Sequence, residues 1–279
     1  MSTMTVDVNE WLAYEPTMPA PVERGRARVI SVFNQKGGVG KTTSCISIGA
    51  ALADAGYRVL LVDFDPQGSL TVGLTGAHEL PQTIYEAIMG HCSARDVLLK
   101  TRVAGMDLLP ATIELSAAEM QLVSEVGRDQ SLARMLEPLL SEYDIVLIDC
   151  LPSLGLLAIN ALAASDSVLI PLQCEYYALR GMALLDATIQ KVQQRINARL
   201  QIEGIIPTMY DQRSTHHREV LARVLEAFGD VTFHTAVPKT VKFPEATVAV
   251  EPITRYAASS PGAAAYRRLA AELAERIQA

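Results

Sequence analysis

Short, almost purely apolar runs recur along this chain. Between most of them lie longer stretches in which apolar residues return at helical spacing. The runs predict strands at Val29–Phe33, Arg58–Val62, Met106–Leu109, Ile145–Ile148, Ser167–Ile170, Ile202–Thr208 and Val231–His234. The longer stretches predict helices at Thr42–Ala55, Ile84–Met89, Leu115–Val126, Gln130–Ser141, Leu154–Ala164, Leu179–Arg199, Thr215–Phe228 and Ala263–Ile277. A run such as Ile145-Val146-Leu147-Ile148 has no polar face, so both its sides must be covered, as in a parallel sheet. Strands alternating with helices predict an α/β fold: a doubly wound, mainly parallel sheet with helices on both faces. Its ligands should sit at the carboxyl ends of the strands.

Residues 1–26 break this pattern. They carry Pro16, Pro19 and Pro21 and few long apolar residues, which predicts a flexible N-terminal tail ahead of one domain, 27–279. One helical turn is expected at Val8–Tyr14. The cluster Trp11, Leu12 and Tyr14 offers a functional alternative, a docking peptide for a partner.

Composition narrows the function classes. The chain has 279 residues, 49% hydrophobic and 20% charged, enough for one sizeable α/β domain. A net charge of −7 argues against an all-over basic nucleic-acid binder but leaves room for a local patch. There is no apolar run long enough to cross a bilayer and no basic-then-apolar leader, so the expected setting is cytoplasmic without a membrane. Cys45, Cys92, Cys150 and Cys174 are scattered, which suits reduced thiols rather than a zinc site or disulfide framework.

The sharpest chemistry lies in Asn34-Gln35-Lys36-Gly37-Gly38-Val39-Gly40-Lys41-Thr42-Thr43, between the first strand and the first long helix. A glycine loop running into a helix start points backbone N–H groups at one spot and binds phosphate there. Lys41 adds charge for the outer phosphates, and the Thr42 hydroxyl is placed to hold Mg²⁺. A second motif, Asp63-Phe64-Asp65-Pro66-Gln67-Gly68, ends an apolar strand in two carboxylates on one face. Beside a triphosphate site, one acid has work near Mg²⁺ and the other in orienting water. A third, Ile145 to Asp149, is an apolar strand ending in a carboxylate that would hold Mg²⁺ through a water.

The KGGxGKT form departs from the general P-loop, with Gln35 where a glycine is usual and an extra lysine at Lys36. It resembles the deviant P-loop of the ParA/MinD ATPases. That resemblance implies that Lys36 reaches the partner's phosphates across a nucleotide-sandwich dimer, and that Asp65 serves hydrolysis. Further along, Pro171 to Leu179 looks like the family's PxQxEYxAL segment. Thr208-Met209-Tyr210-Asp211 and Ala236-Val237-Pro238 look like the loops flanking adenine, which assigns Met209 and Pro238 to the nucleotide. Leu151 departs from the family's DxPPS loop after Asp149. The resemblance spans Val29 to the end and is nearest the short, Soj-like chromosome-partition proteins.

For DNA, residues 176–223 carry seven Lys and Arg against four Asp and Glu. By charge alone that is a solvated mixed surface. The family resemblance turns it into a non-specific DNA face with Arg213 and Lys242 as contacts and Lys239 and Arg218 nearby. The combined expectation is a slow Mg-ATPase switch. It dimerises with ATP, binds double-stranded DNA without reading sequence, and is stimulated by a ParB-like partner to segregate chromosome or plasmid DNA on the nucleoid. The rival readings are a MinD-like membrane switch, which needs an amphipathic C-terminal helix, and a related ATPase positioning another cargo. Tyr266, Leu269, Leu273 and Ile277 are spaced instead for packing on the protein's own core.

Overall fold

The computed structural model describes residues 7–23, 25–176 and 178–278. In chain order the elements are α1 (Val8–Leu12), β1 (Arg28–Val32), α2 (Lys41–Asp54), β2 (Val59–Phe64), α3 (Ser69–Thr75), α4 (Ile84–Ile88), β3 (Leu99–Lys100), β4 (Met106–Leu109), α5 (Leu115–Gln121), α6 (Ser131–Leu136), β5 (Ile145–Cys150), α7 (Leu156–Ala164), β6 (Ser167–Gln173), α8 (Ala178–Arg195), β7 (Gln201–Thr208), α9 (Thr215–Phe228), α10 (Lys242–Val248), α11 (Ile253–Tyr256) and α12 (Pro261–Gln278). The strands form one seven-stranded sheet in the order β3-β4-β2-β5-β1-β6-β7. Every pairing is parallel except that of β3 with β4.

Alternation along the central strands divides the core in two. Val29, Leu60, Val62, Val146 and Ile148 face a layer that includes α4, α6, α7 and α8. Ile30, Val32, Val59, Leu61, Ile145 and Leu147 face α2 and α12. β2 and β5 are buried along their whole length, which is why their sequences read as unbroken apolar runs. The same alternation fixes the chemistry. Asp63 continues the face of Val59 and Leu61, and Asp149 that of Ile145 and Leu147. The two acids are register partners on β2 and β5, both turned toward the α2 side.

Several expectations change. Val231–His234 is not a strand: it starts in a 3-10 turn at Gly229–Val231 and touches β7 through one bridge, Ile205 with Thr232. The His234 N–H goes instead to the Glu272 carboxylate at 2.9 Å, so the ladder stops. The helix expected over Gln130–Ser141 ends as an α-helix at Leu136 and tightens into a 3-10 turn containing Pro138, which has no N–H to continue it. The two-residue β3 and the short α3, α10 and α11 were too brief for periodicity to reveal.

The N-terminal segment also differs from the free tail expected of it. The predicted helical turn is α1, capped by the Asp7 carboxylate on the N–H groups of Asn9 and Glu10. Past α1 the chain lies along α12. Tyr14 Oη donates to Glu275 Oε2 at 2.7 Å, the Thr17 N–H to Glu275 Oε1 at 2.8 Å, and Gln278 Nε2 to the Ala20 carbonyl at 2.9 Å. On α12 itself, Tyr266, Leu269 and Leu273 are buried against the α2 face.

Candidate functional site

The glycine loop runs from β1 into α2 and can do so only with glycine at two positions. Gly38 and Gly40 have φ of 72° and 95°, the left-handed region that side-chain-bearing residues avoid. The turn aims the free N–H groups of the α2 start into a cleft of about 560 Å³, lined by Gly37, Gly38, Val39, Gly40, Lys41, Thr42 and Thr43. Asp65 and Pro152 enter from the loops after β2 and β5, and Met209 and Pro238 from the far wall. Every residue assigned to the nucleotide from sequence, Lys36 apart, thus lines one cleft at the carboxyl ends of the strands. Met209 has a φ of 53°, strain of the kind that proteins store at binding sites.

The two lysines of the loop are treated oppositely. Lys41 is only 7% exposed, and its Nζ donates to the Lys36 carbonyl at 3.4 Å. Burial lowers its pKa, against the pull of Asp149, Cys150 and Asp65. The Lys36 side chain is 53% exposed and reaches away from the loop, to Glu175 Oε2 at 2.6 Å and Gln173 Oε1 at 2.8 Å. Its ammonium holds the Glu175 carboxyl below its ordinary range. Gln173 and Glu175 belong to the PxQxEYxAL segment, far from Lys36 in sequence, and only the fold makes them its partners.

The carboxylates divide their work. Asp149 is 1% exposed and neither oxygen accepts a hydrogen bond of good geometry, while the Thr42 hydroxyl lies close enough to act on it. Burial drives its pKa well above the usual carboxylate value, and Asp63 adds to this. Thr42 and Lys41 pull the other way, toward the charged form. An unpartnered buried carboxylate is costly unless a cation meets it. With the Thr42 hydroxyl it forms a hard-oxygen pair, which suits Mg²⁺ better than any softer metal.

Asp63 lies beside Asp149 in the register of β2 and β5, but its oxygens are already used. Oδ2 accepts from the Thr71 N–H at 2.8 Å and hydroxyl at 2.6 Å, and Oδ1 from the Asp65 N–H at 3.3 Å. Asp63 therefore ties both ends of the loop that carries Asp65, and burial raises its pKa to about 7. Thr71 extends the tie to the Ala111 N–H at 2.9 Å, a link that sequence reading missed. Asp65 itself is partly exposed to the cleft, with Oδ1 bonded to the Gln67 N–H at 2.9 Å.

The four basic candidates do not form one cluster. Arg213 is 87% exposed and pairs with Asp211 at 3.1 Å. Together with Lys239 it walls a second cleft of about 620 Å³, which shares Met209, Pro238 and Lys239 with the first. Lys242 begins α10 and pairs with Glu245 at 2.7 Å, and Arg218 lies exposed on α9. Neither lines the second cleft.

A glycine cradle at a strand–helix junction, a buried lysine and a strand-end carboxylate on a mostly parallel sheet define a P-loop nucleoside triphosphatase. Comparison with known proteins gives the narrower assignment. A family model described as an AAA domain matches residues 27–202. The sporulation initiation inhibitor protein Soj of Bacillus subtilis is 45% identical, over 88% of this chain and 98% of its own length. The chromosome partitioning protein ParA of Caulobacter vibrioides is 41% identical, over 89% of this chain and 94% of its own. The chain belongs to the ParA/Soj family of partition ATPases. Among solved structures, one described as cobyrinic acid a,c-diamide synthase from Mycobacterium smegmatis, with a bound ATP analogue and magnesium, is similar at a TM-score of 0.79 and 43% identity, covering 88% of this chain and 92% of that one.

Proposed function

We propose that this chain is an ATP-driven switch that dimerises around the nucleotide, holds DNA without reading its sequence, and lets go on hydrolysis. One observation carries the reading: two lysines of a single loop, Lys41 buried and Lys36 held out at the surface. Lys41 and the loop N–H groups suit the phosphates of the chain's own ATP. Lys36, tethered by an exposed ion pair to Glu175 that is worth little in water and by an exposed bond to Gln173, is free to move to phosphates outside its own protomer. Mg²⁺, held by the Thr42 hydroxyl and through a water by Asp149, would offset phosphate charge. Asp65 orients the attacking water. Met209 and Pro238 flank the base. Loss of the γ-phosphate removes what Lys36 reaches for, so the dimer loses its differential stability.

On this reading Lys36→Ala binds ATP within a few-fold of the parent but no longer forms an ATP-dependent dimer. Light scattering with a non-hydrolysable ATP analogue checks it, and an unchanged dimer fraction refutes the role.

DNA binding is assigned to Arg213, Lys242, Lys239 and Arg218, and stimulation of hydrolysis to a ParB-like protein. Co-sedimentation with duplex of arbitrary sequence tests the first part. Retention is expected with ATP and not with ADP or without nucleotide. A surface making about four phosphate contacts loses about two decades of affinity between about 50 and 200 mM salt. Arg213→Glu or Lys242→Glu should abolish retention while ATP binding persists; retention equal to the parent's would remove the residue from the DNA surface. The Soj and ParA relatives support chromosome or plasmid segregation at the nucleoid as the setting.

A further inference from the structure

The N-terminal segment forms part of a functional wall. Trp11 stacks on His234 with ring centroids 4.1 Å apart and planes 16° from parallel, and Tyr14 covers the same ring at 4.6 Å. Trp11 Nε1 donates to the Phe233 carbonyl at 3.4 Å. His234 is held from behind by buried Glu272, which also accepts from Arg276. Leu12 then lines the second cleft together with Arg213 and Lys239.

Charge is what gives this contact a function. Residues 7–20 contain three carboxylates, Asp7, Glu10 and Glu15, and no lysine or arginine. The cleft that Leu12 of this segment lines has three cations, Arg213, Lys239 and Arg268, against Asp211. Arg268 Nη2 donates to the Leu12 carbonyl at 3.1 Å and to that of Tyr14, and lies 3.8 Å from Glu15 Oε1. Its Nε is buried without a partner, so the guanidinium keeps an unspent donor. The acidic segment thus occupies a cation of the cleft that a polyanion would also use.

We propose that the second cleft is a docking surface for duplex DNA that includes Arg268, and that residues 7–20 are a displaceable acidic strap competing with DNA for it. The inference rests on the DNA-binding reading above but assigns a residue and a competitor that reading lacks. Strap and DNA phosphates draw on the same guanidinium, so each weakens the other by the same factor. Trp11 is the latch, since its stack on His234 anchors the strap where the carbonyls of Leu12 and Tyr14 meet Arg268.

Trp11 is the chain's single tryptophan, so its emission reports the latch directly. With the full chain and ATP, adding a labelled duplex of arbitrary sequence should change Trp11 emission in step with duplex anisotropy, shifting it to the red as the indole leaves its stack. Trp11→Ala should bind the duplex about two- to tenfold more tightly, the range expected from losing one stacked aromatic contact. Tyr14→Phe, which loses only the bond to Glu275, should move affinity in the same direction by less. In the Trp11→Ala background, Arg268→Gln should reverse the gain and reduce the slope of log K against log salt by about one phosphate contact. DNA binding by the parent with Trp11 emission unchanged, or with no gain in either strap variant, overturns the strap and leaves the DNA reading standing. No binding by parent or variants in any nucleotide state overturns both.

Discussion

Lys41→Ala should weaken ATP binding by about 30-fold or more, while the chain stays folded. Lys41 is buried under the glycine loop, where burial already lowers its pKa. A cation kept in that position without a carboxylate bonded to it has no structural return that matches its desolvation. Its benefit comes when phosphate oxygens arrive. Truncating one partner of a buried, hydrogen-bonded charge pair costs about 2–5 kcal/mol, or about 30- to several-thousand-fold in affinity. Without ligand, removal should be nearly neutral, since the bond to the Lys36 carbonyl is long at 3.4 Å. Calorimetry with ATP, set beside the thermal midpoint of the nucleotide-free protein, separates the two. A variant that melts many degrees early would show that Lys41 is structural. One that binds ATP like the parent would move the phosphate site elsewhere.

Asp65 should control hydrolysis rather than binding. Asp65→Ala is expected to lower the turnover rate by about 10²–10⁴-fold, the usual range for losing a positioned proton acceptor. ATP affinity should stay within a few-fold, leaving a long-lived ATP-bound, DNA-retained state. The structure supplies a control for shape. Asp65 Oδ1 accepts the Gln67 N–H at 2.9 Å, and Asp63 pins both ends of the loop. Asp65→Asn keeps an oxygen for that turn but loses the carboxylate. Single-turnover hydrolysis should be as slow in Asn as in Ala. Parental turnover in the Asn variant would reduce Asp65 to a turn former and leave the water without this base.

Much of this site was legible from local pattern. The glycine loop with Lys41 and Thr42, and the acids ending β2 and β5, lie within short stretches whose chemistry depends on neighbours in sequence. The fold class was legible for the same reason, because strands covered on both faces must be apolar throughout. The short α3, α10 and α11 were not, since one or two turns leave too little period to detect. The Val231–His234 expectation failed because apolarity alone suits both a strand and a packed loop. Phe233 lies directly over Gly204, where a Cβ would come within 2.1 Å of its ring, and Glu272 on α12 takes the next backbone donor.

The sequence by itself determined the layered sheet, the phosphate cradle and the family, because each is written in contiguous residues whose backbone preferences and burial pattern admit few alternatives. Tertiary structure alone decided how the side chains were spent. It left Asp149 unpartnered while occupying Asp63 with Thr71, sank Lys41 while joining Lys36 to Glu175, and laid the proline-rich N-terminus over α12 with Trp11 on His234. The physical reason is distance along the chain. Hydrogen bonds, ion pairs and ring stacks depend on which groups meet, and Trp11 meets His234 only after the sheet, α9 and α12 have brought them together.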